Sequence, residues 1–489
     1  MNEKYILILW TITKMIKVYT LTRKHIDNER RNDYIYIINN QSQKEKAMKK
    51  IIKKATVTLA LALAVTSLAA CGGKKTEEAQ GEVQEAGKTA EGDKITLSLA
   101  FNVEPTQEQF EKNVKPVLDK FQGLHPEVDF EYVSASKRTE EQTVTMMKSG
   151  KFEDVMVSPM AVSIKEYPNY FASLGDSEEL NQKYFYGGYM AYEGQTYALP
   201  IGVVYEGILY NKNVLDQYYN GKVPKTLDEL KECCKILKDN GVIPFYTNAG
   251  AKWTMRFWDN LAVTWSEDPD YANKIVETKE PWAEGTPLNE VLSFVGDLAK
   301  NGEVEPDTVT EQWDKSKVAI ASGDAAFMLT GSWAIPQIKD TAEELGGSRD
   351  DIGFAPFPYK NDVGPDNKLN VRVSEDIFMV VNKNSQHVEL ATEFVKFFCE
   401  NISLYRGMNE IIRDGGKVVD DLKEFETMDY INLYSVPTKD IRISEMASNS
   451  QIDVFSVGSY ITKYVLEPCL AGKEPDFDAI NTEWGKNFN

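Results

Sequence analysis

The chain has 489 residues, 42% of them hydrophobic and 11% aromatic, enough for two or three packed domains. Its 75 acidic against 55 basic residues leave a formal charge of −20. The first 70 residues, with 13 Lys/Arg and 5 Asp/Glu, carry +8, so everything after them carries −28. That acidity excludes nucleic acid as a partner, because phosphate binding needs a basic face. Five cysteines (Cys71, Cys233, Cys234, Cys399, Cys469) and three histidines make no CxxC or Cys/His cluster, so neither a structural metal nor a disulfide framework is expected. No cofactor is expected either.

Residues 48–70 read as a signal peptide. Lys49, Lys50, Lys53 and Lys54 form a basic start, and an apolar run follows from Ala55 to Ala70. At 16 residues the run is short of the roughly 20 that span a bilayer. It ends Leu68-Ala69-Ala70-Cys71, which resembles the bacterial lipobox, and that resemblance makes Cys71 the acylated first residue of the mature protein. Residues 71–93 are polar and acidic and read as a flexible tether. Residues 1–47 precede a complete signal sequence and read as an over-extended reading frame that starts in truth at Met48.

From residue 94 the pattern alternates. Lys94–Phe101 has the period of two that marks a strand. A loop through Asn102 and Glu104 leads to a helix over 107–122 with Phe110, Val114, Val117, Leu118 and Phe121 on one face. A strand over 128–133, a helix over 139–149 and a strand ending near Ser158 complete a βαβ series, the mark of a parallel sheet covered on both sides. Tyr197–Leu215 is the stretch around which the rest is arranged. An aromatic strand halts at Pro200, with Gly202 expected to allow unusual dihedrals, and resumes through Tyr205 and Glu206 to Asn211. A β-run that stops and restarts suits a chain leaving one sheet for another.

The run Tyr197-Ala-Leu-Pro-Ile-Gly followed by Ile208-Leu-Tyr-Asn-Lys-Asn-Val-Leu215 resembles the crossover of the extracellular solute-binding proteins of family 1, the sugar-binding subunits of ATP-driven importers. Lys151–Pro159, Val318–Trp333 and Ile352–Pro358 resemble further elements of that family in the same order, the last as a second hinge strand. The resemblance implies an α/β fold of two lobes, the type II periplasmic-binding-protein-like fold, with a hinge and an interlobe cleft. Lobe one would take 94–202 and 357–402; lobe two would take 203–356 and 403–489. It also implies a monomeric, non-enzymatic protein anchored to the outer face of the cell membrane through Cys71, which captures a carbohydrate and hands it to the transmembrane subunits of an ABC permease.

Sugars offer apolar C–H faces and rims of hydroxyls, so a site for them needs aromatic planes and fixed donors and acceptors. Trp333, after Gly331-Ser332 at the end of an apolar strand, is the first candidate. Trp253, Arg256 and Trp258 lie within two helical turns, and their faces cannot all point into one cleft, so one tryptophan is expected to bind and the other to be core. Tyr205 and Glu206 sit just past the hinge. Asn102 and Glu104 end the first strand, and Ser158 ends the third. Arg372, Ser374 and Glu375 precede the strand at Ile377, where relatives carry a glycine-rich segment. A solvated-loop or core role stands as the alternative at each position. No G-x-S-x-G elbow, phosphate loop or H-E-x-x-H is present. An exported glycoside hydrolase, a peptide- or polyamine-binding protein of the same fold and a receptor serving a sensor kinase remain as alternative readings.

Overall fold

The computed structural model describes residues 94–101, 110–135, 138–159, 162–310, 312–402 and 408–488. The expectations for residues 1–93, including the signal peptide and Cys71, and for Asn102 and Glu104 lie outside the described residues.

Two sheets carry the fold. The first is built from β1 (Ile95–Phe101), β2 (Val128–Ser134), β3 (Val155–Val157), β4 (Gly175–Asp176), β5 (Met190–Tyr192) and β6 (Gln195–Pro200). The second opens with β7 (Val203–Asn211) and continues with β8 (Ile243–Phe245), β9 (Ala325–Gly331), β10 (Ile352–Ala355) and β11 (Leu369–Glu375). β12 (Phe378–Val381) returns to the first sheet, and β13 (Ile431–Ser435) closes the second. The orders are β2-β1-β3-β12-β6-β4, with β5 on β6, and β13-β11-β7-β9-β8, with β10 on β7. β1 runs parallel to β2 and β3, as the βαβ pattern predicts.

Helix Lys115–Leu124 buries Val117, Leu118 and Phe121 against the first sheet. Helix Val388–Glu400 buries Phe394 and Phe398 in the same core, with Phe121 and Phe394 rings 5.2 Å apart, edge to face. Helix Leu227–Asp239 starts at a capping box in which the Thr226 side chain and Glu229 satisfy each other's backbone N–H groups. It covers the second sheet with Leu230, Cys233, Cys234 and Leu237. The second core gathers Phe245, Phe294, Phe327, Phe357 and Trp258.

β6 ends at Pro200 and β7 begins at Val203, so the chain changes sheets across Ile201-Gly202, where the sequence predicts it. Gly202 serves a different purpose from the one expected. Its φ is not in the left-handed region; a Cβ there would lie 3.2 Å from the Asn409 carbonyl oxygen and from the Met408 side chain. Glycine makes room for a neighbouring strand of chain.

The return crossing falls later than residue 357. β10 pairs antiparallel with Ile208–Asn211 and stays wholly in the second sheet. β11 then pairs with the first half of β7, Glu375 opposite Val203, while Phe378 in β12 pairs with Pro200. The outgoing and returning passages therefore run side by side, joined by Ile201 N–H to the Ile377 carbonyl (2.9 Å) and Asp376 N–H to the Gly202 carbonyl (3.1 Å). Asn409 accepts from Val203 N–H at 3.1 Å. Ile352–Ala355 is a short apolar run and Leu369–Glu375 an alternating one, and both pair with β7, so it is the register on β7 that separates the hinge strand from its neighbour.

Candidate functional site

β9 delivers its last residue, Gly331, opposite Glu206 of β7. The chain then turns through Ser332–Ala334, and the Ser332 hydroxyl accepts from Tyr205 N–H at 3.1 Å, fixing the turn to β7. Gly331 is required here. A Cβ would come within 2.7 Å of the Trp333 ring, so glycine lets the indole fold back over its own backbone.

Trp333 is half-buried and meets two other tryptophans. Its ring centroid lies 5.8 Å from that of Trp253 and 5.3 Å from that of Trp313, and Trp253 and Trp313 are 5.4 Å apart. The planes are tilted by 40–59°, so the three rings form a cup of half-buried aromatic surface rather than one flat plate. Trp313, the first residue of helix Trp313–Ser322, was not among the candidates. Its signal in sequence is slight: one aromatic between the polar residues Gln312 and Asp314.

Trp258 is core. Its side chain is 1% exposed and packs against Phe245, Phe357 and Phe294 with centroids 5.9–6.3 Å away. Trp253, on the short turn before helix Arg256–Trp265, is the one on the aromatic cup. Arg256 lays its guanidinium 5.3 Å from the Phe257 ring, and its buried Nε has no acceptor among the described residues.

Tyr205 and Glu206 are successive on a strand and so face opposite sides of it. The Tyr205 side chain is buried, stacks on Phe425 at 5.7 Å and donates its hydroxyl to Glu426. Burial first, then the Glu426 carboxylate, push its phenol pKa well up. That hydroxyl is already committed, which removes Tyr205 from the free side chains near the cup. Glu206 is paired on the other side with Arg372 and accepts from Asn260 Nδ2 at 3.0 Å. Arg372 is 4% exposed, with Glu375 3.6 Å from its second terminal nitrogen. Burial opposes its charge, but Glu206 and Glu375 outweigh that and hold it more firmly protonated than a free arginine. The three residues form one buried charge cluster, with Lys439 and Asn260 lining a small cavity beside Arg372. Burial draws the Lys439 ammonium down to about 8.

The first sheet brings its own aromatics. Tyr189 and Phe378 stack at 5.8 Å with planes 7° apart. Tyr186, at φ +59°, donates its hydroxyl to the Val373 carbonyl of β11 and links the two sheets. Ser158 has its N–H on the Phe378 carbonyl (2.8 Å) and its hydroxyl on that of Tyr167 (2.6 Å). Sequence reasoning missed Tyr186, Tyr189 and Phe378, whose one hint is the aromatic-glycine run Phe185–Tyr189.

Two sheets joined by paired crossings, with aromatic and charged side chains near where the chain passes between them, fit a hinged ligand-binding fold. Residues 105–401 match the model of the bacterial extracellular solute-binding proteins, and the chain belongs to that family. It is 24% identical over 315 residues, 62% of this chain and 71% of the relative, to the multiple sugar-binding protein of Streptococcus mutans. Among solved structures it is similar to BlMnBP1, a binding protein of an ABC transporter from Bifidobacterium animalis subsp. lactis in complex with mannobiose. The identity is 26% and the TM-score 0.71, over 81% of this chain and 95% of that one. BlMnBP2 of the same organism shares the fold at 24% identity and a TM-score of 0.71, covering 82% and 96% of the two chains. The family is one of binding proteins of the extracellular side.

Proposed function

We propose that the protein captures a carbohydrate, an oligosaccharide of two or more units, between its two lobes and delivers it to an ABC permease. The observation that carries this is the cup of Trp253, Trp313 and Trp333 beside the buried Glu206–Arg372–Glu375 cluster. Half-buried indoles match the apolar faces of pyranose rings, and fixed charged groups match their hydroxyls. The sugar-binding descriptions of its relatives support the same reading. In this reading Trp333 and Trp253 stack on sugar rings. Arg256, Glu206, Arg372, Glu375 and Ser158, with Asn102 and Glu104, which follow β1 in sequence, order the hydroxyls. Cys71 carries the lipid that holds the mature protein at the membrane, with residues 71–93 as tether.

Ligand favours closure because both lobes touch it only when closed. The test is a thermal-shift screen of residues 76–489 against a panel headed by mannobiose, mannotriose and raffinose, with product analysis of each positive. A native-state ligand raises the melting temperature by mass action. A shift with intact sugar, lost in Trp333→Ala, is expected. Cleaved sugar would establish a hydrolase instead, and shifts confined to peptides or polyamines would move the ligand class.

A further inference from the structure

A buried carboxylate, Glu305, holds the loop that leads into the aromatic cup. Glu305 is 1% exposed and accepts three hydrogen bonds from the loop leading to Trp253. Oε2 takes Thr247 N–H at 2.7 Å; Oε1 takes the Thr247 hydroxyl at 2.8 Å and Asn248 N–H at 2.7 Å. Asn248 is held at φ +58°, a left-handed conformation that costs energy for a residue with a side chain. From there its bonds diverge to both tryptophan-bearing segments. Its carbonyl accepts the Thr254 hydroxyl at 2.8 Å, next to Trp253. Its Nδ2 donates to Ser316 Oγ at 2.9 Å, and Ser316 in turn donates to the Trp313 carbonyl at 2.6 Å. Lys252, immediately before Trp253, is also strained, at φ +61° and ψ −58°.

A carboxylate removed from water is costly unless hydrogen-bonded. A loop with no further duty could close on its own backbone. Here one buried acid holds a left-handed residue whose bonds reach both segments that carry Trp253 and Trp313. We infer that Glu305 is a positioning residue, setting the mutual orientation of Trp253 and Trp313 and through it the shape of the sugar-binding surface. This rests on the reading of the cup as that surface, but its first test needs no ligand.

Glu305→Gln keeps the size and turns one acceptor into a donor facing backbone N–H groups. Near-ultraviolet circular dichroism reads the coupling among the clustered indoles. Subtracting the spectra of Trp253→Phe and Trp313→Phe isolates their share. The expected result is loss of at least half of that share in Glu305→Gln, with far-ultraviolet signal retained. Val117→Ala, a core truncation in the first-sheet layer, serves as a control that lowers the melting temperature and leaves the share intact. An unchanged share in a folded Glu305→Gln overturns the inference. If that variant does not fold, Thr247→Val, which removes only the hydroxyl donor, takes its place under the same criterion. Mannotriose titration forms the second arm: at least tenfold weaker binding is expected in the variant, and unaltered affinity overturns the inference. If wild-type protein binds no sugar, the functional reading fails while the spectral arm still decides the role of Glu305.

Discussion

Tyr186 reaches from the loop beside the first sheet and donates its hydroxyl to the main-chain carbonyl of Val373 in the second. The bond joins the two sheets three residues before Asp376 in the returning crossing, on a tyrosine whose own φ is +59°. Tyr186→Phe keeps the ring and removes the hydroxyl that bonds the Val373 carbonyl and the Val436 backbone. A loss of about 0.5–1.5 kcal/mol is expected in denaturant unfolding. An unchanged midpoint would show that the bond contributes nothing to holding the sheets together.

The two tryptophans of the Trp253–Trp258 stretch separate by experiment. Trp258→Ala empties a fully enclosed space among Phe245, Phe294 and Phe357 and is expected to cost about 3–5 kcal/mol. Trp253→Ala, on the half-exposed cup, should cost far less stability and weaken sugar binding by tenfold or more. Equal stability losses in the two variants would contradict the assignment.

Arg372 and Glu206 are buried together, so removing Arg372 leaves two buried carboxylates without a cation and removing Glu206 leaves the arginine only its longer contact with Glu375. Glu206→Gln and Arg372→Met are each expected to destabilise by about 3–5 kcal/mol, and the double variant by less than the sum. Strict additivity in unfolding measurements would mean the two charges do not depend on each other.

Asp259 gives the protein a pH signature. Its fully buried carboxyl is pushed up to about 7 by burial, against the lowering effect of the Tyr460 hydroxyl (2.5 Å) and Phe455 N–H (3.1 Å). Between the unfolded value near 4 and about 7 the native state therefore binds more protons than the unfolded chain. The Asp259 contribution to stability is full below pH 4 and falls as pH rises to about 7, by up to about 4 kcal/mol. Asp259→Asn should remove that slope, so that its stability relative to wild type improves from pH 4.5 to 7.5 in urea unfolding. Parallel pH curves for the two proteins would place the carboxyl at an ordinary pKa.

Much of the architecture was legible because it is local. Pro200 and the restart at Val203 marked the sheet change, and Thr226 with Glu229 marked a helix start. Trp333 stood out because Gly331-Ser332 ended an apolar strand. What could not be read depends on pairing between distant segments. Ile352–Ala355 and Leu369–Glu375 both read as strands, and which of them adjoins the hinge is set by their positions on β7. Trp313 joins Trp253 and Trp333 only through the packing of three separate segments, and Glu305 reaches Thr247 across 58 positions of sequence. Trp253 and Trp258 could be recognised as differing in fate, but which faces outward is set by the turn at Lys252 and not by helical spacing alone.

The place of β12 governs the order in which the protein can be assembled. It lies between β3 and β6, in the middle of the first sheet, although it is made some 180 residues after β6. A chain emerging amino terminus first therefore holds β1–β3 and β4–β6 as two unjoined ribbons, with raw inner edges, until residue 381 has appeared. By then most of the second sheet is already out and can close first. The earlier-made layer would be the later one to mature, and a fragment stopped before β12 would expose sticky strand edges instead of an independently folded half.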